Sequence, residues 1–441
     1  MKKLSIIILA LILATTELAA QTGTWSGKLE VQGTSLTLVF NLSEEGCTMD
    51  SPDQGAHGIK AELSHDALGR VVISVPSIGA SFEGFNLLNS ITGNFIQHGV
   101  SFPMTLKPGA PKRNRPQTPV GPFPYNTEDV SFPNGPATLK GTLTTPAGCT
   151  ADTPVVLLVT GSGLQNRDEE IYEHKPFAVI ADALAKAGIA SLRYDDRGFG
   201  ESTGDVVNCT TDDLKKDALS GVELLRKRFR SVGVVGHSEG GSIAFMLAAE
   251  KKIDFVISLA GGIISMKETL IQQNDHAFRE LGFPEDVVKT YVSAISAAFD
   301  ALAEGKAAPG VENSNLPEAL KQNYSLAVQQ AGTPYMRYFL NLDVRTLLDK
   351  VNCPVLAFNG TLDTQVDCRR NLDALRAGLK AGDAEIIEVE SANHLLQHCK
   401  TGSAEEYKDI EETIAPEVLE MMVGWILKEV DFKSSEYRKL I

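Results

Sequence analysis

Val232-Gly233-Val234-Val235-Gly236-His237-Ser238-Glu239-Gly240-Gly241 is the stretch on which the fold turns. Val232–Val235 is a short apolar run of strand character, and the residues after Gly241 read as a helix. Between them stands Gly236-His237-Ser238-Glu239-Gly240, the G-x-S-x-G pattern in the strand-turn-helix setting its chemistry requires. A sharp turn there lifts the serine hydroxyl clear of the sheet, and the two glycines leave no side chain where strand and helix close together. The helix N-terminus behind Ser238 favours negative charge developing beside it. Ser238 is therefore the candidate nucleophile.

Working outward, strands and helices alternate. Strand character appears at Leu139–Thr144, Val155–Val159, Ala190–Tyr194 and Phe255–Leu259, with helices near Lys175–Lys186, Thr211–Arg228 and Gly241–Glu250. Such alternation predicts a mostly parallel sheet with helices on both faces. From about Ile263 to Asn341 it stops, and amphipathic helices (Glu285–Ala303, Glu318–Gln330) suggest a helical insertion over the sheet. It resumes with Val355–Asn359, Arg370–Leu379, Glu385–Glu390 and a last helix near Pro416–Lys428.

A serine needs a base to remove its proton. Of the eight histidines, His394 follows the last expected strand, at the sheet edge where sites of open α/β sheets gather. His398 is its rival. His237 sits inside the turn and cannot face its own neighbour. The imidazole in turn needs an acid to fix its tautomer. Asp363, just past Val355–Asn359, is the candidate, with Asp367 as alternative. Donors for an oxyanion are expected from the backbone N–H of Glu239 and from Thr160-Gly161-Ser162-Gly163-Leu164, where Ser162, Gly163 and Leu164 all remain open. A histidine base works only when neutral, so activity is expected to fall below about pH 6.5, the ordinary histidine range.

The remainder of the chain carries less chemistry. Lys2 and Lys3, an apolar run Leu4–Ala14 and the small residues Ala19-Ala20 form an export leader over 1–20, implying a periplasmic or extracellular mature protein. The run is too short to span a membrane. Residues 21–106 read as an all-β sandwich or barrel: Leu36, Leu38, Phe40 and Leu42 alternate with polar neighbours, as do Val100, Phe102, Met104 and Leu106 beyond a turn at His98-Gly99. Lys28–Val31, Ile59–Leu63 and Val71–Val75 are further short runs, and Trp25 and Phe95 read as core. A proline-rich linker over 107–128 follows, whose Lys112, Arg113 and Arg115 are expected to be solvated. The catalytic domain then runs over 129–441, with its helical cap at about 263–341. A formal net charge of −15 argues against nucleic acid as partner. The six cysteines show no zinc spacing, so no metal is expected. If any disulfide forms, Cys368 with Cys399 is the expected pair, with two free thiols the alternative.

With these residues in place, the chain resembles the α/β-hydrolase superfamily over about residues 129–430. Tyr194-Asp195-Asp196-Arg197-Gly198-Phe199-Gly200-Glu201-Ser202 is similar to its D-x-R-G-x-G-x-S turn, usually structural. More narrowly, Gly161-Ser162-Gly163 with Arg167-Asp168, Gly236 to Gly241, Gly360 to Val366 and Asn393-His394-Leu395 resemble exported bacterial carboxylesterases grouped with serine aminopeptidase-like hydrolases. The order Ser238, Asp363, His394 is that of the superfamily. Thr160-Gly161 departs from lipases whose oxyanion loop begins His-Gly. The resemblance implies a Ser–Asp–His triad, no cofactor, and hydrolysis of short acyl or acetyl esters, acylated carbohydrates among them, through an acyl-enzyme. Tyr335, Tyr338 and Phe339 of the cap are candidates for the pocket wall. A peptidase of the same mechanism is the alternative, with Glu268, Asp275 and Glu280 as candidates to hold a substrate amine. A binding module with a vestigial site is a third reading, which an intact triad opposes.

Overall fold

The computed structural model describes residues 22–440, apart from 32–33, 44–45, 55, 66–69, 88, 111–112, 314 and 381–383. The leader expected over 1–20 lies outside the described residues. The chain divides into two compact units, the first ending at Arg113 and the second beginning at Asn114.

The first unit is a closed antiparallel barrel of eight strands: β1 (Gly23–Val31), β2 (Thr34–Leu42), β3 (Cys47–Ser51), β4 (Ala56–His65), β5 (Val71–Val75), β6 (Ala80–Leu87), β7 (Ser90–Gln97) and β8 (Val100–Pro108). β8 returns to pair with β1 at Trp25–Pro108 and Ser26–Lys107, which leaves no free edge. The inward face of β2 puts Leu38, Phe40 and Leu42 into a filled core with Ile73, Phe82, Phe95 and Leu106, and Trp25 packs against it. The interior is thus occupied by side chains, as expected of a small barrel. Three of the eight strands, β3, β6 and β7, fall outside the runs read from the sequence. In β6 and β7, Gly84 and Gly93 face each other across the pair, and a Cβ on Gly93 would lie 2.0 Å from the Glu83 carbonyl. His98 and Gly99 both take positive φ and close the β7–β8 hairpin.

Of the three basic residues expected to be solvated, Arg113 and Arg115 are engaged instead, and Lys112 lies outside the described residues. Arg115 donates to the carbonyls of Tyr172, Lys408 and Ile410, and the Gln117 amide both donates to the Ile414 carbonyl and accepts from the Thr413 and Ile414 amides. One guanidinium satisfying three loop carbonyls explains why this basic residue is held down. Arg113 likewise pairs with Asp53 of the barrel.

The second unit is built on β9 (Asn126–Asn134), β10 (Ala137–Thr145), β11 (Val155–Val159), β12 (Ala190–Tyr194), β13 (Val232–His237), β14 (Val256–Leu259), β15 (Val355–Gly360) and β16 (Ala384–Val389). Their order in the sheet is β16-β15-β14-β13-β11-β12-β10-β9, with β10 antiparallel to both neighbours and the rest parallel. Every residue of β11, β13, β14 and β15 is buried, which is why these strands read as unbroken apolar runs. Helices α1 (Pro176–Lys186), α2 (Thr211–Arg226), α3 (Glu239–Ala249), α8 (Cys368–Gly378) and α9 (Pro416–Leu440) accompany the sheet. One core holds α2, α3 and α8 residues, among them Val222, Phe245 and Leu372; the other holds α1 and α9 residues, among them Ile180 and Trp425.

Between β14 and β15, helices α4 (Met266–Glu280), α5 (Glu285–Ala303), α6 (Glu318–Ala331) and α7 (Pro334–Leu340) form a cap with its own core around Phe278, Tyr291, Ile295 and Tyr324. Met266 and Phe339 of the cap pack on Met246 of α3, so the cap rests on the helix that follows Ser238.

Candidate active site

Ser238 sits between β13 and α3 with φ +52° and ψ −115°, a conformation a non-glycine residue adopts only under strain, at a cost of about 1–3 kcal/mol. Its amide is fixed to the Leu259 carbonyl at 2.9 Å, which holds the turn from the neighbouring strand. The flanking glycines are required: a Cβ on Gly236 would lie 2.0 Å from the Gly240 carbonyl, and one on Gly240 2.1 Å from that of Val159. Glu239 opens α3, so its amide is among the helix N–H groups without an intrahelical acceptor.

His394 Nδ1 lies 2.7 Å from Asp363 Oδ2, and both groups are buried. The other oxygen, Asp363 Oδ1, accepts the amides of Gln365 and Val366, both at 2.8 Å. The carboxylate is therefore fixed by its own loop and aims one oxygen at the imidazole. The two rivals are occupied elsewhere. Asp367 caps α8 by accepting the Arg370 amide, and the half-exposed His398 faces Glu412 and Glu417.

Ser238, Glu239 and His394 line one cavity of about 330 Å³ with Ser162, while Gly163 and Leu164 are absent from its wall. The Gly161 amide is already taken by Glu169 Oε1 at 2.7 Å. The cap supplies an apolar wall of Met266, Leu270, Met336 and Phe339. Gln165, Thr269, Gln273 and Gln365 add neutral polar groups. Tyr335 and Phe339 are on this wall and stack on each other, whereas Tyr338 is not.

Sequence reasoning missed the hydrogen bonding behind this wall. Glu239 is buried; its carboxylate accepts from the Thr211 hydroxyl at 2.6 Å and the Tyr335 phenol at 2.5 Å, and burial pushes its carboxyl above the ordinary range. Asp196, in the turn after β12, accepts from the Thr160 hydroxyl and the Gln165 amide and so clasps both ends of the loop that follows β11. Burial pushes it up to about 8. Asp195 holds Arg167 through two nitrogens. The Asp-Asp pair in the sequence was the available signal, although nothing in it told which residue each would hold.

The expected Cys368–Cys399 bridge is absent. The Cys368 thiol donates to the Asn359 carbonyl and the Cys399 thiol to that of Ser391, and neither is in a disulfide. Both residues follow their loops closely in sequence, but the loops direct them to different carbonyls. Among the described residues no group of three or more His, Cys, Asp or Glu side chains could hold a metal ion, and no helix is long and apolar enough to cross a membrane.

Comparison with known proteins agrees with this architecture. The family model described as the alpha/beta hydrolase family matches residues 156–405, more than half of the chain, and the chain belongs to that family. It is similar to esterase EstD of Thermotoga maritima, 27% identical over 282 residues, which cover 63% of this chain and 61% of EstD. It is also similar to an acyl transferase of Photobacterium leiognathi, 26% identical over 136 residues, 30% of this chain and 41% of that protein. The chain thus spans about three fifths of the first relative's length and two fifths of the second's. Among solved structures, Est1E of Butyrivibrio proteoclasticus with bound ferulic acid is 18% identical, covering 68% of this chain and 99% of that one, at a TM-score of 0.42. An esterase of Pyrococcus furiosus is 18% identical, covering 64% and 89%, at a TM-score of 0.40.

Proposed function

We propose that the chain is a serine carboxylesterase. The observation that carries this reading is that His394, held by Asp363 at 2.7 Å, lines the same cavity as the strained Ser238. Ser238 Oγ attacks the ester carbonyl carbon while the second nitrogen of His394 takes the hydroxyl proton. The carbonyl π pair moves onto oxygen, where the Glu239 amide and one amide of Ser162, Gly163 or Leu164 receive it. Ser162 is favoured by its place on the cavity wall. The tetrahedral species collapses, the alcohol leaves with the proton from His394, and water repeats the sequence to release the acid and regenerate Ser238. No metal or organic cofactor enters these steps.

The cavity size suits a short acyl group. Neutral Gln165, Gln273 and Gln365 suit an uncharged, hydroxyl-bearing alcohol such as a sugar. The peptidase alternative finds less support. Glu268 is engaged by Arg345 and Arg370, Asp275 by Arg279, and Glu280 faces His276; none of the three lines the cavity. The carboxylates that do, Glu169 and Glu239, are buried and already hydrogen-bonded. EstD's name as an esterase is consistent with the same reading. Turnover of p-nitrophenyl acetate and acetylated sugars, with little on aminoacyl-p-nitroanilides, is expected. Faster turnover of the anilides would replace this proposal with the peptidase one, and Ser238→Ala should abolish fluorophosphonate labelling. Export of the mature chain, following cleavage near Ala20, completes the proposal; N-terminal sequencing of the processed protein tests it.

A further inference from the structure

His237, the residue just before the nucleophile, has no role in the reaction above, yet both its ring nitrogens are engaged. Nδ1 lies 2.8 Å from Glu169 Oε1, and Nε2 lies 3.1 Å from the backbone carbonyl of His394. A carbonyl only accepts, so Nε2 carries a proton. Glu169 Oε1 also accepts the Gly161 amide; an ionised carboxylate oxygen only accepts, so opposite an ionised Glu169 Nδ1 carries a proton as well. All the partners are buried, and the His237 and His394 rings are 4.8 Å apart.

We propose that Glu169 and His237 form a second, non-reacting carboxylate–imidazolium pair whose task is to position three loops of the site at once. Glu169 holds Gly161 of the oxyanion loop. His237 is part of the nucleophile turn. Its Nε2–H holds the backbone of the general base itself. The two ring contacts hold together only when the imidazolium is doubly protonated, because a neutral ring would surrender either the carboxylate or the carbonyl. Burial is the largest single influence and lowers the proton affinity of His237; the Glu169 charge and hydrogen bond, the His394 carbonyl and Asp363 together outweigh it, and the net direction is upward. The titratable groups around the ring are Glu169, His394 and Asp363, and the Glu169 charge also acts on Asp196.

This inference rests on the esterase reading for its kinetic consequence, but its proton state can be measured independently. In the full chain carrying ¹⁵N-labelled histidine, His237 should show both nitrogens protonated at pH 7.5, its signal assigned by its absence from His237→Asn or His237→Gln. Glu169→Gln keeps an acceptor for Gly161 and nearly the same shape, yet removes the charge that retains the second proton. In that variant kcat/KM for p-nitrophenyl acetate should fall about tenfold or more between pH 6 and 8, since loops misplaced by an ångström cost up to about 100-fold. Between pH 6 and 8 the native enzyme should show no tenfold loss. A neutral His237 in the native chain overturns the proposal. So does a Glu169→Gln variant whose activity drops by the same factor at every pH, the signature of a merely structural role. If no ester is turned over, the ¹⁵N spectrum still decides the proton state, so failure of the esterase reading is separately visible.

Discussion

Replacing Asp363 by Asn is the sharpest test of the site, because the two carboxylate oxygens have separate duties. Oδ1 accepts the Gln365 and Val366 amides and holds the loop, while Oδ2 faces His394 Nδ1. An asparagine can keep its carbonyl on the two backbone amides and place its NH2 where Oδ2 was. The loop then survives, but an N–H now points at Nδ1. His394 must answer with the tautomer protonated on Nε2, which cannot accept a proton from Ser238. The comparable exchange in a serine protease triad costs about 10⁴ in kcat, roughly 5 kcal/mol of transition-state stabilisation. Stability should change little, by about 1 kcal/mol, since the loop's own hydrogen bonds persist. The assay is kcat for p-nitrophenyl acetate at saturating substrate, beside a thermal unfolding curve. A folded Asp363→Asn enzyme keeping more than a tenth of native kcat would refute Asp363 as the acid and the tautomer argument with it.

Four further outcomes are expected. Gly161→Ala would bring a Cβ within 3.2 Å of Ser238 Cβ and 3.3 Å of His237 Nδ1, so kcat/KM should drop roughly 100-fold while the fold persists; wild-type kinetics would show that the loop yields freely. Tyr335→Phe removes the phenol that ties cap helix α7 to Glu239, and should raise KM severalfold with a smaller effect on kcat, as read from steady-state kinetics. Asp196 is held near 8 in the folded chain against an unfolded value near 4, so between these limits the native state binds the extra proton and stability falls as pH rises. Urea unfolding at pH 5, 7 and 9 should show that decline in the native chain and less of it in Asp196→Asn; the same slope in both would place its origin elsewhere. Alkylation of the unfolded protein should give one mass with or without reductant for Cys368 and Cys399, since each thiol faces its own carbonyl.

The elements nearest the chemistry were legible because they carry short-range signals. The strands covered on both faces announce themselves as apolar runs, and the turn around Ser238 by the glycines its close approach demands. Asp363 and His394 could be chosen by their place after strands, and the structure puts them in contact. The missed features depend on distance in sequence. Arg115 meets carbonyls at Lys408 and Ile410, nearly three hundred residues on, and no local pattern separates such a guanidinium from a solvated one. β9, from Asn126 to Asn134, is an edge strand with mostly exposed residues, so it lacks an apolar face to betray it. Nothing local in the sequence shows that the carboxylates of Glu239 and Glu169 are buried, and His237 is set aside there because it cannot face its neighbour in sequence. It faces the backbone of His394 instead.

That concentration of acids poses an electrostatic problem that the site resolves. Glu169, Asp196, Glu239 and Asp363 are all buried around a site whose proposed reaction develops negative charge on oxygen. Four uncompensated carboxylates in a medium of low dielectric would oppose the oxyanion strongly. Each, however, is offset in its own way. Glu169 faces His237, and Asp363 receives the Nδ1–H of His394, which on the proposed mechanism becomes positive as the oxyanion forms. Asp196 and Glu239 are both pushed toward the protonated form by burial, with hydroxyl partners at hand. On the proposed mechanism the residual field on the oxyanion is then set by the backbone amides. It follows that making one of the two hydroxyl-bonded acids charged should hurt catalysis more than removing it. Above about pH 8, where Asp196 gives up its proton, the native enzyme should lose activity that Asp196→Asn retains. If the two enzymes decline together, the carboxyl at Asp196 does not act on the oxyanion, and the compensation described here fails at that position.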